Sequence, residues 1–294
     1  MLAILGPTAA GKTEVTVNVA EKIGAEVLSV DSMQVYREMD IGTAKPTVLE
    51  RREITHHMID VVDPSSEFSV AEFRRQGRAV LEITESPIII SGGSGLHFRA
   101  LVDPMGFAPT DKTLRSELEA TGLSDLRAEL ESADPDAGSH VDLANPRRLI
   151  RAVEVFRLTG ETPSRRAGSA EAEDLRRYVS EIDFTAVGVD PGGATEARVD
   201  RRLRQMRAGG FIGEVRTLIG RMGRTARGAV GYREVRSHLE GDVTEDEAFQ
   251  LAARNTKRLS KKQRTWFQRD PRIRWIPWLE DLDDRTERVL EALN

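Results

Sequence analysis

Gly6-Pro-Thr-Ala-Ala-Gly-Lys-Thr13 stands between the apolar run Leu2–Leu5 and a segment, Val15–Ile23, whose apolar residues recur at roughly helical spacing. A GxxxxGK[ST] octapeptide placed between a strand and a helix is a phosphate-binding loop. Gly6 and Gly11 let the backbone N–H groups of Gly6, Pro7, Thr8, Ala9, Ala10, Gly11, Lys12 and Thr13, proline excepted, close around phosphate oxygens. The N-terminus of the following helix adds a favourable dipole. Lys12 neutralises phosphate charge, and Thr13 can place its hydroxyl on a magnesium ion. The pattern predicts diphosphate or triphosphate binding and names no reaction.

The rest of the α/β pattern follows outward from that loop. Glu26–Val30 reads as a second strand ending at Asp31, and Phe68–Ser86 as a helix in which Ser69 and Glu72 form a capping box. Pro87 stops that helix, and the buried strand Ile88–Ser91 then runs into Gly92-Gly-Ser-Gly95. Thr185–Asp190 is a further strand, with a helix from about Thr195, and Arg274–Pro277 is a short last one. Strands alternating with helices predict a mostly parallel sheet flanked by helices, a P-loop NTPase-like core. Between Asp111 and Arg177 only helices are expected, at Leu114–Ala120, Ser124–Ser132 and Pro146–Leu158, the last capped by Asn145 and ended by Gly160. Ala167–Asp174 is expected to be a mobile connection. The expected organisation is a core of residues 1–110 and 185–294 with a helical insertion domain at 111–184.

The 294 residues carry 43 Lys+Arg against 48 Asp+Glu, a net charge of −5, which excludes a protein that coats nucleic acid by bulk charge. A local basic face remains open. Zero cysteines exclude disulfides and any Cys-ligated metal centre. No apolar run approaches the ~20 residues of a membrane span, and MLAILGPT lacks the features of a signal peptide. A cytoplasmic enzyme, monomeric and without a membrane partner, is the expectation.

Three further segments carry candidate chemistry. Asp31, at the carboxyl end of the second strand, faces the crevice where open α/β sheets bind ligands, and there it can hold magnesium through water or accept a proton. Gly92-Gly-Ser-Gly95 emerges at the same edge, with Ser94 offering a hydroxyl. From Ala248 to Arg269 there are seven Lys/Arg and no acidic residue. Arg254, Lys257, Arg258, Lys261 and Lys262 follow i, i+3, i+4, i+7, i+8 spacing, one helix face suited to a phosphate backbone. Leu251, Leu259 and Trp266 lie off that face and are expected to pack on the core. Arg147, Arg148 and Arg151 form a smaller basic patch, and Arg198 or Arg202 can reach back to a bound diphosphate. His56 and His57, being adjacent, point apart and make poor joint metal ligands.

Taken in order, these blocks resemble the bacterial tRNA dimethylallyltransferases, also called tRNA isopentenyltransferases. Residues 6–13 are similar to that family's GPTxSGKT, and Val30–Tyr36 with Met39-Asp-Ile-Gly-Thr-Ala-Lys-Pro46 to its next two blocks. His56-His-Met-Ile-Asp60 with Asp63, Pro64 and Phe73, then Gly92–Leu96 and Asn145–Glu154, resemble HHLID…DP…F, GGTGLY and NDxQRxxRALE. Gly231-Tyr-Arg-Glu234 and Thr256–Phe267 resemble GYxE and TRxxAKRQxTWF, so the blocks span nearly the whole chain.

The resemblance implies transfer of a dimethylallyl group from its diphosphate to the exocyclic amine of the adenosine 3′ of the anticodon, with magnesium required. By position, Asp31 would be the general base, Ser94 would hydrogen-bond the reacting adenosine, and Arg202 with residues 6–13 would hold the diphosphate. Asp31, Ser32, Met33, Gln34, Ser94, Arg115, Arg147, Arg148 and Arg151 would contact tRNA, as would Lys257, Arg258, Lys261 and Lys262. Ser94 stands where the family has Thr, His97 where it has Tyr, and Arg147 where it has Gln. The rival readings are a P-loop small-molecule kinase, which predicts ATP turnover, an RNA-binding module with a vestigial nucleotide site, and an isopentenyltransferase acting on free adenine nucleotides.

Overall fold

Leu2 and Ile4 point to one side of their strand and Ala3 and Leu5 to the other, yet all four are buried, so this strand lies inside a sheet covered on both faces. The computed structural model describes residues 1–292. Its sheet contains β1 (Leu2–Leu5), β2 (Glu26–Ser29), β3 (His56–His57), β4 (Ile88–Gly92), β5 (Thr185–Val189) and β6 (Ile273–Ile276). Every pairing is parallel and the order is β3-β2-β4-β1-β5-β6. Against one face Val15, Val19 and Ala20 of the Lys12–Ile23 helix pack on Leu2, Ile4, Val27, Ile89 and Val187, with Val289 joining from the Leu282–Glu291 helix. Against the other, Phe73, Phe98, Leu101, Leu203 and Phe267 pack on Ala3, Leu5, Leu28, Ile90 and Ala186.

The register decides where function can sit. Leu5 pairs with Gly92 and with Gly188, and Ser29 pairs with Ser91, so β1, β2, β4 and β5 end level with one another. The residues that follow, Gly6, Val30–Asp31 and Gly93–Ser94, therefore emerge at one carboxyl edge.

Two compact units are present, Met1–Val102 with the chain from Ile182 onward, and Asp103–Glu181. The second is helical among the described residues, built on Lys112–Ala120, Leu123–Ala133 and Pro146–Thr159 around Leu118, Leu126, Leu130, Leu149 and Val153. Asn145 caps the Pro146 helix by accepting from the N–H groups of Arg147 and Arg148, and Gly160 ends it at φ 72°.

The elements mostly fall where the sequence predicts, with ends shifted by a few residues: the helix expected over Phe68–Ser86 covers Val70–Ile83, and Ser69 caps it by accepting from the Glu72 N–H. The expected mobile connection at Ala167–Asp174 is a correction. Ala170–Arg176 is a helix whose N-terminus is capped by Ser169, with Glu171 and Glu173 in its first turn opposing the positive end of the dipole.

Candidate active site

The phosphate loop folds as its glycines require. Gly6, at φ 155°, passes so close to β5 that a Cβ there would lie 2.1 Å from the Val189 carbonyl oxygen. Gly11 takes the left-handed conformation at φ 75° and turns the chain into the Lys12–Ile23 helix. Lys12 Nζ donates to the Pro7 carbonyl at 2.7 Å, folding the ammonium back over its own loop. Burial lowers its pKa to about 8, the Asp31 charge opposing that shift and Arg202 adding to it.

Two arginines of the Thr195–Ala208 helix reach the loop in different ways. Arg202 donates from Nη1 to Thr8 Oγ1 at 3.2 Å and from Nη2 to the Thr43 carbonyl at 3.1 Å, and it lines the cavity. Burial lowers its pKa, with Asp31 opposing. Arg198 instead donates to the Ala9 carbonyl at 2.7 Å from outside the loop, its guanidinium 4.8 Å from the Trp278 ring centroid.

Asp31 is held by the turn it begins. Its Oδ1 accepts from the N–H groups of Met33 at 2.8 Å and Gln34 at 3.3 Å, which fixes the plane of the carboxylate at the cavity wall. Gln34 then reaches the Thr43 and Ala44 carbonyls, both at 3.4 Å. Segment 40–42 is fixed by Glu214, whose carboxylate accepts from the N–H groups of Asp40, Ile41 and Gly42 at 3.0, 2.7 and 3.1 Å and from the Tyr232 hydroxyl. Burial, with that neighbouring carboxylate, raises the Tyr232 pKa and keeps it a donor.

The basic helix Glu245–Gln268 closes the site. Gln263 Oε1 accepts from the Thr8 N–H at 2.8 Å, and Trp266 lies against Gly95 so closely that a Cβ there would meet the indole at 2.0 Å. The resulting cavity of about 280 Å³ is lined by Thr8, Asp31, Ser94 and Arg202 among its polar residues. Its apolar lining includes Met33, Val199, Leu203, Met206, Leu259 and Trp266.

A family model described as IPP transferase matches residues 34–270. The chain belongs to the IPP transferase family. It is 41% identical to a tRNA dimethylallyltransferase of Bifidobacterium animalis, covering 94% of this chain and 82% of that one. It is 39% identical to a tRNA dimethylallyltransferase of Kineococcus radiotolerans, over 100% and 96% of the two chains. Among solved structures, the tRNA isopentenylpyrophosphate transferase of Bacillus halodurans matches with a TM-score of 0.69 and 34% identity, covering 99% of this chain and 96% of that one. A eukaryotic dimethylallyltransferase acting on tRNA shares the fold, with a TM-score of 0.77 at 22% identity, over 91% and 69% of the two chains.

For this IPP transferase family member, the fold brings Thr8, Asp31, Ser32, Met33, Ser94, Arg202 and Lys262 to one cavity. The basic face of Glu245–Gln268 is less uniform than its spacing predicts. Arg254, Arg258, Lys261 and Lys262 lie along it and all four are exposed, but Lys257 is bound to Asp200 at 2.9 Å, and Arg264, further along the same helix, to Asp190 at 2.6 Å. The expectation that Leu251, Leu259 and Trp266 pack on the core is also corrected. The buried face is Ala248, Phe249, Ala252, Ser260 and Phe267, while Leu259 and the 44% exposed Trp266 line the cavity.

In the helical unit Arg115 and Arg151 both bind the fully buried Glu154 carboxylate, at 2.6 and 2.7 Å, whereas Arg147 and Arg148 are exposed. Residue-level reasoning missed Glu214, Leu259, Gln263 and Trp266 as parts of the site. For Gln263 and Trp266 the signal was their i, i+3 spacing beside the basic stripe; for Glu214 there was none. His57 binds Glu26 and His56 the Ile54 carbonyl, so the two rings diverge as expected.

Proposed function

We infer that this chain transfers a dimethylallyl group from dimethylallyl diphosphate to the exocyclic N6 amine of the adenosine adjacent to the anticodon in tRNA, releasing diphosphate. The observation that carries this reading is the cavity itself. It has phosphate-loop and arginine donors at one wall, a carboxylate and a hydroxyl at another, and an apolar lining between them. A five-carbon isoprenoid chain needs an apolar wall beside the site that holds its diphosphate.

In this mechanism the phosphate loop, with Lys12 and Arg202, holds the diphosphate and stabilises the charge that grows on it as the C–O bond breaks. The apolar wall desolvates the dimethylallyl group and excludes water that would otherwise capture it. The adenine leaves its stack to enter the cavity. Its amine attacks the allylic carbon and gives up a proton to Asp31, whose Oδ1 is held by the backbone so that Oδ2 takes it. Ser94 Oγ holds the same amine. Arg147, Arg148, Arg258, Lys261 and Lys262 are cations suited to tRNA phosphates. Lys257, Arg115 and Arg151 act instead through the carboxylates they bind.

Magnesium fits this site as an ion carried on the diphosphate. Among the described residues no cluster of three His, Asp or Glu side chains could cage a metal. Magnesium characteristically binds through substrate phosphates with one or two protein oxygens. Thr13, which opens the Lys12–Ile23 helix, is the residue that would hold it, and bound there it would neutralise leaving-group charge.

The test is an end-point assay in which protein, magnesium and radiolabelled dimethylallyl diphosphate meet unmodified tRNA, with AMP and ATP as parallel acceptors. Label in tRNA alone is expected. Label in AMP would move the enzyme to free nucleotides, and ATP hydrolysis without prenyl transfer would return it to the kinases.

Two further outcomes follow from the geometry. Lys12 in the donor-free enzyme loses its proton near pH 8, and a bound diphosphate favours the ammonium. The donor KM should therefore rise as pH climbs through about 8, by up to tenfold per unit, with proton uptake on binding visible by calorimetry in two buffers. A flat KM across that range would contradict it. On the basic helix, the Arg258→Ala, Lys261→Ala double variant should weaken tRNA binding and lower the slope of log K against log salt by roughly 1.4–1.8, two phosphate contacts. Lys257→Ala, already neutralised by Asp200, should leave that slope nearly unchanged.

A further inference from the structure

Ser94 and His97 are the two positions at which the loop Gly92–His97 departs from the family's GGTGLY, and the fold brings those two side chains together. His97 lies in the first turn of the Gly95–Val102 helix, and its Nδ1 is 2.7 Å from Ser94 Oγ. The ring is only 8% exposed and stands edge-on to Phe73, at 4.7 Å between centroids and 86° between planes. The backbone N–H of Ser94 donates to the Val30 carbonyl at 3.1 Å, so the main chain beneath the hydroxyl is anchored to the Asp31 segment. Ser94 Oγ itself lacks the γ-methyl of threonine, which would restrict its χ1. Its direction depends on whatever it bonds.

We propose that His97 is a positioning residue for prenyl transfer: its Nδ1 accepts the Ser94 hydroxyl proton and so turns the Ser94 oxygen lone pairs toward the acceptor amine. The proposal rests on the reading of Ser94 as a contact of that amine. An exocyclic amine presents two N–H groups and one nucleophilic lone pair. Asp31 takes one N–H, and an oxygen acceptor on the other leaves the lone pair to face the allylic carbon. A serine hydroxyl pointing its proton at the nitrogen would compete for that lone pair. A neutral imidazole has one acceptor and one donor nitrogen, so acceptance at Nδ1 assigns the ring proton to Nε2. Burial supports the neutral form by pushing the His97 pKa down to about 4, against the opposing pull of Asp31. A cationic ring would have to donate at Nδ1 and would reverse the hydroxyl.

The test is a double-mutant cycle on the full chain, using dimethylallyl diphosphate and unmodified tRNA. Ser94→Ala and His97→Phe are each expected to lower kcat about tenfold, and the double variant no further than Ser94→Ala alone. The donor KM and tRNA affinity should stay at the wild-type values. His97→Phe keeps an aromatic ring against Phe73, and His97→Asn, which restores an acceptor near the Nδ1 position, should recover most of the loss. ¹⁵N shifts of the ring in the wild-type protein should report the Nε2–H form. They decide the matter even if a variant does not fold. The Nδ1–H form, wild-type kcat in His97→Phe, or losses that multiply in the double variant would overturn the proposal. Wild-type kcat in Ser94→Ala would overturn it together with the reading of Ser94. A slow Ser94→Ala beside a wild-type His97→Phe would leave that reading standing and remove His97 alone.

Discussion

Asp31→Asn is expected to lower kcat for transfer to tRNA by roughly 10²–10⁴-fold, the range for loss of a positioned general base. Asparagine is the informative substitution because of what the carboxylate does besides chemistry. Its Oδ1 accepts from the Met33 and Gln34 N–H groups, and the amide oxygen of an asparagine there can keep both bonds, whereas alanine would release the turn. The donor KM and tRNA affinity should then stay close to wild type, since neither the phosphate loop nor the basic helix is disturbed. Single-turnover rates with saturating tRNA measure the effect directly. A rate within about threefold of wild type would remove Asp31 as the base. Removing its charge also removes the force that opposes the lowering of the Lys12 and Arg202 pKa values, so the Lys12 pKa should fall further in this variant, and the comparison of donor KM is made well below pH 8, where Lys12 stays charged.

Lys12→Met should be nearly as severe and should fail differently. Methionine fills much the same space without the ammonium, so the diphosphate loses a cation both when it binds and when it leaves. A fall of roughly 10²–10³-fold in kcat/KM is expected, with the donor KM raised and kcat reduced. The tRNA affinity should not change, because Lys12 folds over the phosphate loop and bonds the Pro7 carbonyl, away from the exposed stripe. The split between variants is the stronger check. Well below pH 8, Asp31→Asn acts on kcat alone, while Lys12→Met acts on both constants. If Lys12→Met left the donor KM unchanged, the loop would not be the diphosphate site.

The α/β core was legible because its signals are local. A strand, a glycine loop and a helix occupy 22 consecutive residues, Leu2 to Ile23. The common edge of β1, β2 and β4 followed from the parallel pattern, and the register places Asp31 and Ser94 there. The basic helix was legible only by half. Helical spacing says which residues share a face, but not what that face meets. So spacing groups Lys257 with the free cations, although Asp200 lies beside it. Trp266 reads as core because large aromatics are usually buried, yet it lies at the cavity wall, where Gly95 leaves room for the indole. Ala167–Asp174 misled in the opposite sense: small and acidic residues suggest mobility, but behind a serine cap they start a helix.

The amino-acid sequence by itself determined the phosphate loop, the parallel core, the carboxylate at the end of β2 and the presence of a basic helix. Each rests on residues close together in the chain, or on blocks whose order is itself specific. Only the tertiary structure decided how those parts make a site. It set Gln263 on Thr8, Glu214 on segment 40–42, Arg202 across to Thr43, and His97 on Ser94. Most of these contacts join residues far apart in the chain, and their geometry depends on where helices come to rest against the sheet. Periodicity carries no information about that.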